Sequence, residues 1–183
     1  APPKNIGDGS FRDRGVRLAD VNGDQLVDFV VSNSATSSSV YMNTGKGWQQ
    51  DTGWSIPFAF VTSVGVDLGV RLVDINGDGL ADLIRSSDND SEPNSVYFNI
   101  GKKSWLEDTR WVVPDVFINS SGYALGVRLV DVNGDNLIDF IRSDNEGPGS
   151  ATVEKVYLNK GNATGLLEDA SWNMPVQFTD SDG

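Results

Sequence analysis

Apolar and polar positions alternate along this chain in short runs, and the runs return at nearly fixed intervals. Gly15-Val16-Arg17-Leu18 recurs as Gly69-Val70-Arg71-Leu72 and Gly126-Val127-Arg128-Leu129, at offsets of 54 and 57 residues. Each run opens a period-two alternation and predicts a short β-strand ending at Asp20, Asp74 or Asp131. A second strand is predicted at Phe29–Val31, Leu83–Arg85 and Phe140–Arg142, and a third at Val40–Asn43, Val96–Asn99 and Val156–Asn159. The third ends in Asn-x-Gly at Gly45, Gly101 and Gly161, a turn signal in which glycine supplies a positive φ. A fourth strand is expected to run from Trp48, Trp105 and Leu166 to Trp54, Trp111 and Trp172, and to stop at Pro57, Pro114 and Pro175. Phe60, Phe117 and Phe178 follow at a fixed offset and are expected to pack where the chain crosses to the next unit.

No helical periodicity competes with this pattern. Four antiparallel strands per unit of 54–61 residues, repeated in tandem, predict an all-β fold of three four-stranded β-propeller blades. The blades fall at approximately 15–56, 69–113 and 126–174 in one repeat domain, 1–183, with connecting segments 1–14, 57–68, 114–125 and 175–183. Propellers close with four to eight blades, so three make a partial propeller or one that closes by oligomerisation. Pro3, Pro57 and Pro114 stand in the same phase, twelve residues before Gly15, Gly69 and Gly126, and Gly183 lies in the linking phase after Pro175. Both end blades are therefore expected to present a face to another blade, in a ring or a filament.

The polar residues between the first and second strands form the most regular feature. Asp20-x-Asn22-Gly23-Asp24-x-Leu26-x-Asp28 recurs from Asp74 to Asp82 and from Asp131 to Asp139. Carboxylates about 4 Å apart repel by roughly 1 kcal/mol in water and roughly 4 at a protein surface, and a hard divalent cation reverses that sign. Calcium takes six to eight oxygens in a flexible cage, with side chains at loop positions 1, 3 and 5 and a backbone carbonyl at 7 in the EF-hand. The same logic assigns Asp20, Asn22, Asp24, Asp28 and the Leu26 carbonyl to one Ca²⁺. Asp74, Asn76, Asp78, Leu80 and Asp82 form a second set, and Asp131, Asn133, Asp135, Leu137 and Asp139 a third. The leucine side chains are then free to enter the core. Asn-Gly and Asp-Gly are also plain hairpin turns, but a bare turn gives no reason for Asp at position 9 in all three copies.

Net charge adjusts this picture. The chain carries −12, and nine of its 26 acidic residues sit in the three loops, so three Ca²⁺ would halve the charge. A nucleic-acid partner normally requires a basic stripe, and none exists here. No apolar run is long enough to span a membrane. With no cysteine, disulfides do not indicate compartment. Weak calcium sites fill where calcium is near millimolar, which places the protein outside the cell or at its surface.

The links between second and third strands, Ser32–Ser39, Ser86–Ser95 and Ser143–Lys155, are polar and unequal, and are read as solvated loops or as a binding face. Arg17, Arg71, Arg128, Arg85 and Arg142 are expected to pair with carboxylates or to line a central channel. The repeated aromatics are expected to fill the core between blades, sugar stacking being the other use. Asn89, Asn119 and Asn162 begin Asn-x-Ser/Thr sequences that permit N-glycosylation.

These residues resemble the FG-GAP/VCBS repeats, the calcium-loop blades of integrin α-subunit propellers, certain fungal lectins and the B components of bacterial toxin complexes. Gly-Val-Arg-Leu-x-Asp-x-Asn-Gly-Asp-x-Leu-x-Asp followed by Val-Tyr-x-Asn-x-Gly carries the likeness, which extends from Gly15 to about Pro175. It implies that the fifteen loop positions are metal ligands. The literal Phe-Gly and Gly-Ala-Pro signatures are missing, and Gln25 stands at position 6, where Gly79 and Asn136 better suit a left-handed backbone. The first loop is therefore expected to be the weakest site.

The expected role is that of a non-enzymatic, extracellular, calcium-stabilised propeller in structure, adhesion or assembly, partnered by copies of itself or by flanking blades. A lectin-like glycan binder, or a protein ligand on the variable loops, is the alternative. A polysaccharide-acting enzyme is disfavoured by the absence of histidine and cysteine. Asp88, Asp90, Glu92, Asp144 and Glu146 are the carboxylates left for such chemistry.

Overall fold

The computed structural model describes residues 12–34, 36–89, 93–144, 152–161, 165–176 and 178. Over these residues the chain builds three antiparallel sheets of four strands each, and no helix. Blade one contains β1 (Val16–Ala19), β2 (Asp28–Asn33), β3 (Thr36–Asn43) and β4 (Trp48–Asp51). Blade two contains β5 (Val70–Val73), β6 (Asp82–Arg85), β7 (Ser95–Asn99) and β8 (Trp105–Glu107). Blade three contains β9 (Val127–Val130), β10 (Asp139–Asp144), β11 (Val153–Asn159) and β12 (Leu166–Glu168). Strand order follows chain order in each sheet, and register repeats: Leu18 opposes Phe29, Leu72 opposes Leu83, and Leu129 opposes Phe140. This is the expected blade architecture.

The fourth strands are shorter than the tryptophan–proline pattern implies. They stop at Asp51, Glu107 and Glu168, before Trp54, Trp111 and Trp172. Aspartate turns end them. Asp51, Asp108 and Asp169 accept the N–H two residues onward, from Gly53, Arg110 and Ser171. The prolines stand beyond that turn.

In blades one and three the second-to-third links are also shorter than expected, because the strands run into them, while blade two keeps nearly the expected length. Ser32, Ser86 and Ser143 are buried, and their hydroxyls donate to the carbonyls of Phe58, Asp115 and Val176 in the linker that leaves the blade. Their backbone carbonyls accept from Phe60, Phe117 and Phe178, and their N–H groups donate to Gly15, Gly69 and Gly126. This close approach explains the invariant start of each repeat. A Cβ on Gly15 or Gly69 would lie 2.1 or 2.2 Å from the serine carbonyl oxygen, and both residues have positive φ.

Two apolar clusters fill the junctions between sheets. Val21, Val30 and Val40 of blade one meet Val70, Leu83 and Trp105 of blade two, capped by Phe60. Ile75, Ile84 and Val96 meet Phe140 and Tyr157 of blade three, capped by Trp111 and Phe117. The aromatics pair across these junctions, with ring centroids 5.0 Å apart for Trp54–Trp105 and 5.5 Å for Phe117–Phe140. These four are buried or half-buried, whereas Trp172, the third member of its repeat position, is exposed.

Arg17 and Arg71 pair with carboxylates as expected, Arg128 bonds the Val127 carbonyl, and all three cover the linker phenylalanines. Arg17 bonds Asp13 at 2.9 Å and reaches Asp67 of the next unit at 3.4 Å, while Arg71 bonds Asp67 at 2.9 Å. Arg17, Arg71 and Arg128 lie over the rings of Phe60, Phe117 and Phe178 at 5.8, 5.5 and 5.5 Å.

Candidate metal loops

The three aspartate loops lie at one end of the sheets, between the first and second strand of each blade. Asp20 Oδ1 accepts the N–H groups of Asn22 and Gly23, and Oδ2 accepts that of Gln25 at 2.7 Å. Asp74 and Asp131 do the same for the backbone at positions 4, 5 and 6. At position 3 the Asn22 carbonyl oxygen accepts from Asp24 N, and its amide donates back to Asp24 Oδ2. Asn76–Asp78 and Asn133–Asp135 repeat that exchange. Position 5 accepts the N–H of position 7 at 2.9 Å in every loop.

Position 9 corrects one expectation. A structural use for its aspartate exists without any cation. Asp28, Asp82 and Asp139 are fully buried. One oxygen of each accepts the N–H of Val21, Ile75 or Val132 in its own loop, the other that of Asn43, Asn99 or Asn159 at the end of the third strand. Burial pushes the Asp82 carboxyl up to about 7 against these bonds, with the charges of Asp78 and Asp74 adding to the rise.

Position 7 corrects another. Its leucines do not enter the sheet core. Leu80 lies 3.1 Å from where a Cβ on Gly23 would be, and Leu137 stands equally close to Gly77. Leu80 and Leu137 thus close their loops onto the loop of the preceding blade, while Leu26 is exposed. Position 6 has the left-handed backbone expected of it, with φ of 67° at Gln25, 84° at Gly79 and 67° at Asn136. Glutamine gains nothing from that conformation. Gln25→Gly should therefore stabilise the chain by about 0.5–1 kcal/mol, read as a higher urea midpoint with the slope unchanged.

The donor set is all oxygen, and it lacks a counter-charge. Among the described residues no ion pair involves a loop carboxylate, nor do three acidic side chains converge into a ready-made metal cluster. A carboxylate oxygen that accepts one N–H still has a lone pair to offer. The loops thus offer oxygen donors of the kind that a hard cation takes.

The asparagine at the end of the third strand has a role that its turn motif did not reveal. Asn99 is buried, and its amide donates to Val21 O of the preceding blade at 2.8 Å and to Ala81 O at 3.3 Å. Asn159 donates to Ile75 O at 2.7 Å and to Ile138 O at 3.1 Å. These bonds staple adjacent loops over 78 and 84 residues of sequence, so no local pattern shows them. Asn159→Ala leaves the buried Ile75 carbonyl without this donor and should cost about 1–3 kcal/mol. Urea unfolding measures it, and a change below a few tenths would remove the staple.

The other predicted sites are not gathered into one place. Asp144 is buried and engaged with Arg142, and Asp88 is exposed. Asp90, Glu92, Glu146 and Asn162 lie outside the described residues. Asn89 is exposed, and Asn119 accepts the N–H groups of Ser121 and Tyr123 within a turn.

The FG-GAP-like repeat profile matches residues 20–84 and 74–142, and each match spans one junction between loops. Among solved structures, an Agrocybe aegerita lectin described as recognising non-reducing terminal N-acetylglucosamine aligns at a TM-score of 0.58 and 18% identity. That alignment covers 90% of this chain and 40% of the lectin. The Photorhabdus luminescens Tc holotoxin pore aligns at 0.56 and 22% identity, over 88% of this chain and 7% of that one. The chain thus spans well under half the length of either structure. No curated protein sequence matches it. With three four-stranded blades, three repeated aspartate loops and the matched profile, this chain belongs to the FG-GAP-like repeat family.

Proposed function

We propose that this chain is a calcium-stabilised propeller segment that works outside the cell as a structural, adhesive or assembly module, without enzymatic activity. The observation that carries the reading is the set of three near-identical loops, each holding three carboxylates that no cationic side chain among the described residues neutralises. Ca²⁺ supplies that charge and ties the two strands flanking each loop. Isothermal titration of the metal-free chain tests it. Three bound Ca²⁺ support the reading, and the absence of a calcium-dependent heat sinks it. Copies of the chain, or flanking blades, are the partners this reading requires. Asn89 and Asn119 would be the accessible N-glycan acceptors.

A second reading, glycan binding, has one specific feature in its favour beyond the lectin likeness. A cavity of about 390 Å³ opens where blades one and two meet, lined by Gln49, Gln50, Asp51, Thr52 and Lys103. Amide, carboxyl and hydroxyl groups of this kind hydrogen-bond sugar hydroxyls. A glycan array on the calcium-loaded chain distinguishes the readings. Specific signals lost in Gln50→Ala would favour the lectin role, and a blank array the structural one.

A further inference from the structure

The charges along the innermost strands follow a regular row that loses one carboxylate at the third unit, while the groups that would hold it remain. We propose that Arg71, Arg128 and the Gly126 N–H bind the carboxylate of an exogenous small molecule, where a linker aspartate stands in the first two units. The site is separate from the metal loops and from the cavity between blades one and two, so it goes beyond both readings above.

The complete arrangement surrounds Asp67. Its Oδ1 accepts the N–H of Gly69 at 2.9 Å and Arg17 Nη2 at 3.4 Å, and its Oδ2 accepts Arg71 Nη1 at 2.9 Å. One carboxylate thus joins two guanidinium groups from adjacent blades and caps the opening glycine of its repeat. Asp13 does the corresponding work one unit earlier, accepting from Gly15 N at 2.7 Å and from Arg17 Nη1 at 2.9 Å.

In the third unit this position is Ala124. The backbone around it is unchanged. Ala124 bridges Ile118 as Asp67 bridges Val61, and Leu125 N donates to Phe117 O as Leu68 N does to Phe60 O. The turn before it closes through the same two bonds in both units, Thr62–Val66 and Gly65–Thr62 matching Asn119–Tyr123 and Gly122–Asn119. Gly126 keeps the positive φ of Gly69, 62° against 71°. Successive turns also stack, since a Cβ on Gly122 would lie 3.4 Å from Asp67 O. Arg71 and Arg128 stand over Phe117 and Phe178 as Arg17 stands over Phe60. Only the carboxylate differs.

The donors that remain are poorly neutralised. Arg128 Nη1 donates to Val127 O, and among the described residues Arg128 meets no carboxylate. Arg71 engages Asp67 through Nη1, which leaves Nη2, the atom that Arg17 extends to Asp67, for the side of Ala124. Gly126 is buried, and among the described residues no side chain accepts its N–H as Asp13 and Asp67 accept those of Gly15 and Gly69. At these repeat positions three arginines stand against two aspartates, so one positive charge is left over. A carboxylate is planar, carries one negative charge and can take bonds from two guanidinium forks at once. Ala124 and Arg128 are exposed, which gives a ligand access. Tyr123 beside them is 66% exposed and offers an amphipathic surface to the rest of an organic molecule.

Titration of the full calcium-loaded chain with sodium acetate, followed in ¹H–¹⁵N spectra at an ionic strength held constant with sodium chloride, tests the proposal. The Gly126 amide should move downfield and saturate, together with the Nε–H signals of Arg71 and Arg128. Ala124→Asp supplies the carboxylate from within. It copies the first two units, so it should fold, and it should abolish the acetate response. Arg128→Gln removes an exposed side chain and should weaken acetate by about tenfold, the loss expected of one charge-assisted bond. Glucuronate titrated in parallel separates two sources of the same group. Equal affinity for the two shows that the carboxylate alone is read, and tighter glucuronate shows a carboxylated sugar. A Gly126 signal that does not saturate overturns the proposal, as does an acetate response that survives Ala124→Asp. Sulfate acting as well as acetate at matched ionic strength would also overturn it, by showing attraction of anions in general.

Discussion

Ca²⁺ added to the metal-free chain should raise its melting temperature by about 5–10 °C per filled site, and a chelator should reverse the rise. A ligand at a hundred times its dissociation constant stabilises the native state by about 2.7 kcal/mol. A domain of this size shifts by roughly 2–4 °C per kcal/mol. Sites with dissociation constants near 10⁻⁴ M reach that saturation at about 10 mM Ca²⁺. Mg²⁺ should reproduce little of the effect, because it demands a tighter octahedron and gives up its waters reluctantly. Substitution separates the loops. Asp74, Asp78 or Asp82→Ala should reduce the calcium-dependent rise more than Asp24→Ala, since Gln25 holds the first loop in a conformation that glycine holds freely in the second. The fairest comparison is Asp78→Ala against Asp24→Ala, because both occupy position 5 and accept the same backbone N–H. Equal losses would remove the ranking. A melting temperature indifferent to Ca²⁺ would remove the calcium sites themselves.

What could be read beforehand was local. A two-residue alternation declares a strand within four residues, and Asn43-x-Gly45 declares a turn because its side chain and its positive φ act over three positions. Those signals placed all twelve strands and ordered them into blades. What escaped depends on atoms far apart in sequence. Nothing near Asn99 shows that its amide lies against Val21 O, and nothing near Leu80 shows that Gly23 leaves space for it. Ser32, Ser86 and Ser143 looked like the polar starts of loops, yet each is buried where a linker returns. The repeat itself held a usable signal, since the same small hydroxyl residue stands seventeen positions after each opening glycine. The aspartate at position 9 was legible as a residue with a purpose, and its buried double acceptor role was the part that local spacing could not convey.

Asp115→Ala should destabilise the chain by about 3 kcal/mol, because removing one partner of a buried ion pair leaves the other charge in a poor solvent. Asp115 and Arg142 are both 8% exposed and lie 2.6 Å apart, with Tyr157 Oη at 3.5 Å from the second Asp115 oxygen. Asp144, 3.4 Å from Arg142, remains as a weaker partner and keeps the loss at the low end of the usual 3–5 kcal/mol. The first junction handles the same position differently. Phe58 occupies the place of Asp115, Arg85 lies 4.9 Å over its ring, and Tyr97 meets it edge-on at 5.2 Å. One linker position thus holds an arginine by charge in one repeat and by an aromatic face in the other. That gives the prediction its second arm: Asp115→Phe, which copies the first junction, should recover at least half of what Asp115→Ala loses. Urea midpoints of the two variants at constant slope decide it. A loss below about 1 kcal/mol for Asp115→Ala would show the pair to be dispensable, and a phenylalanine variant no better than alanine would show that the two junctions are not interchangeable solutions.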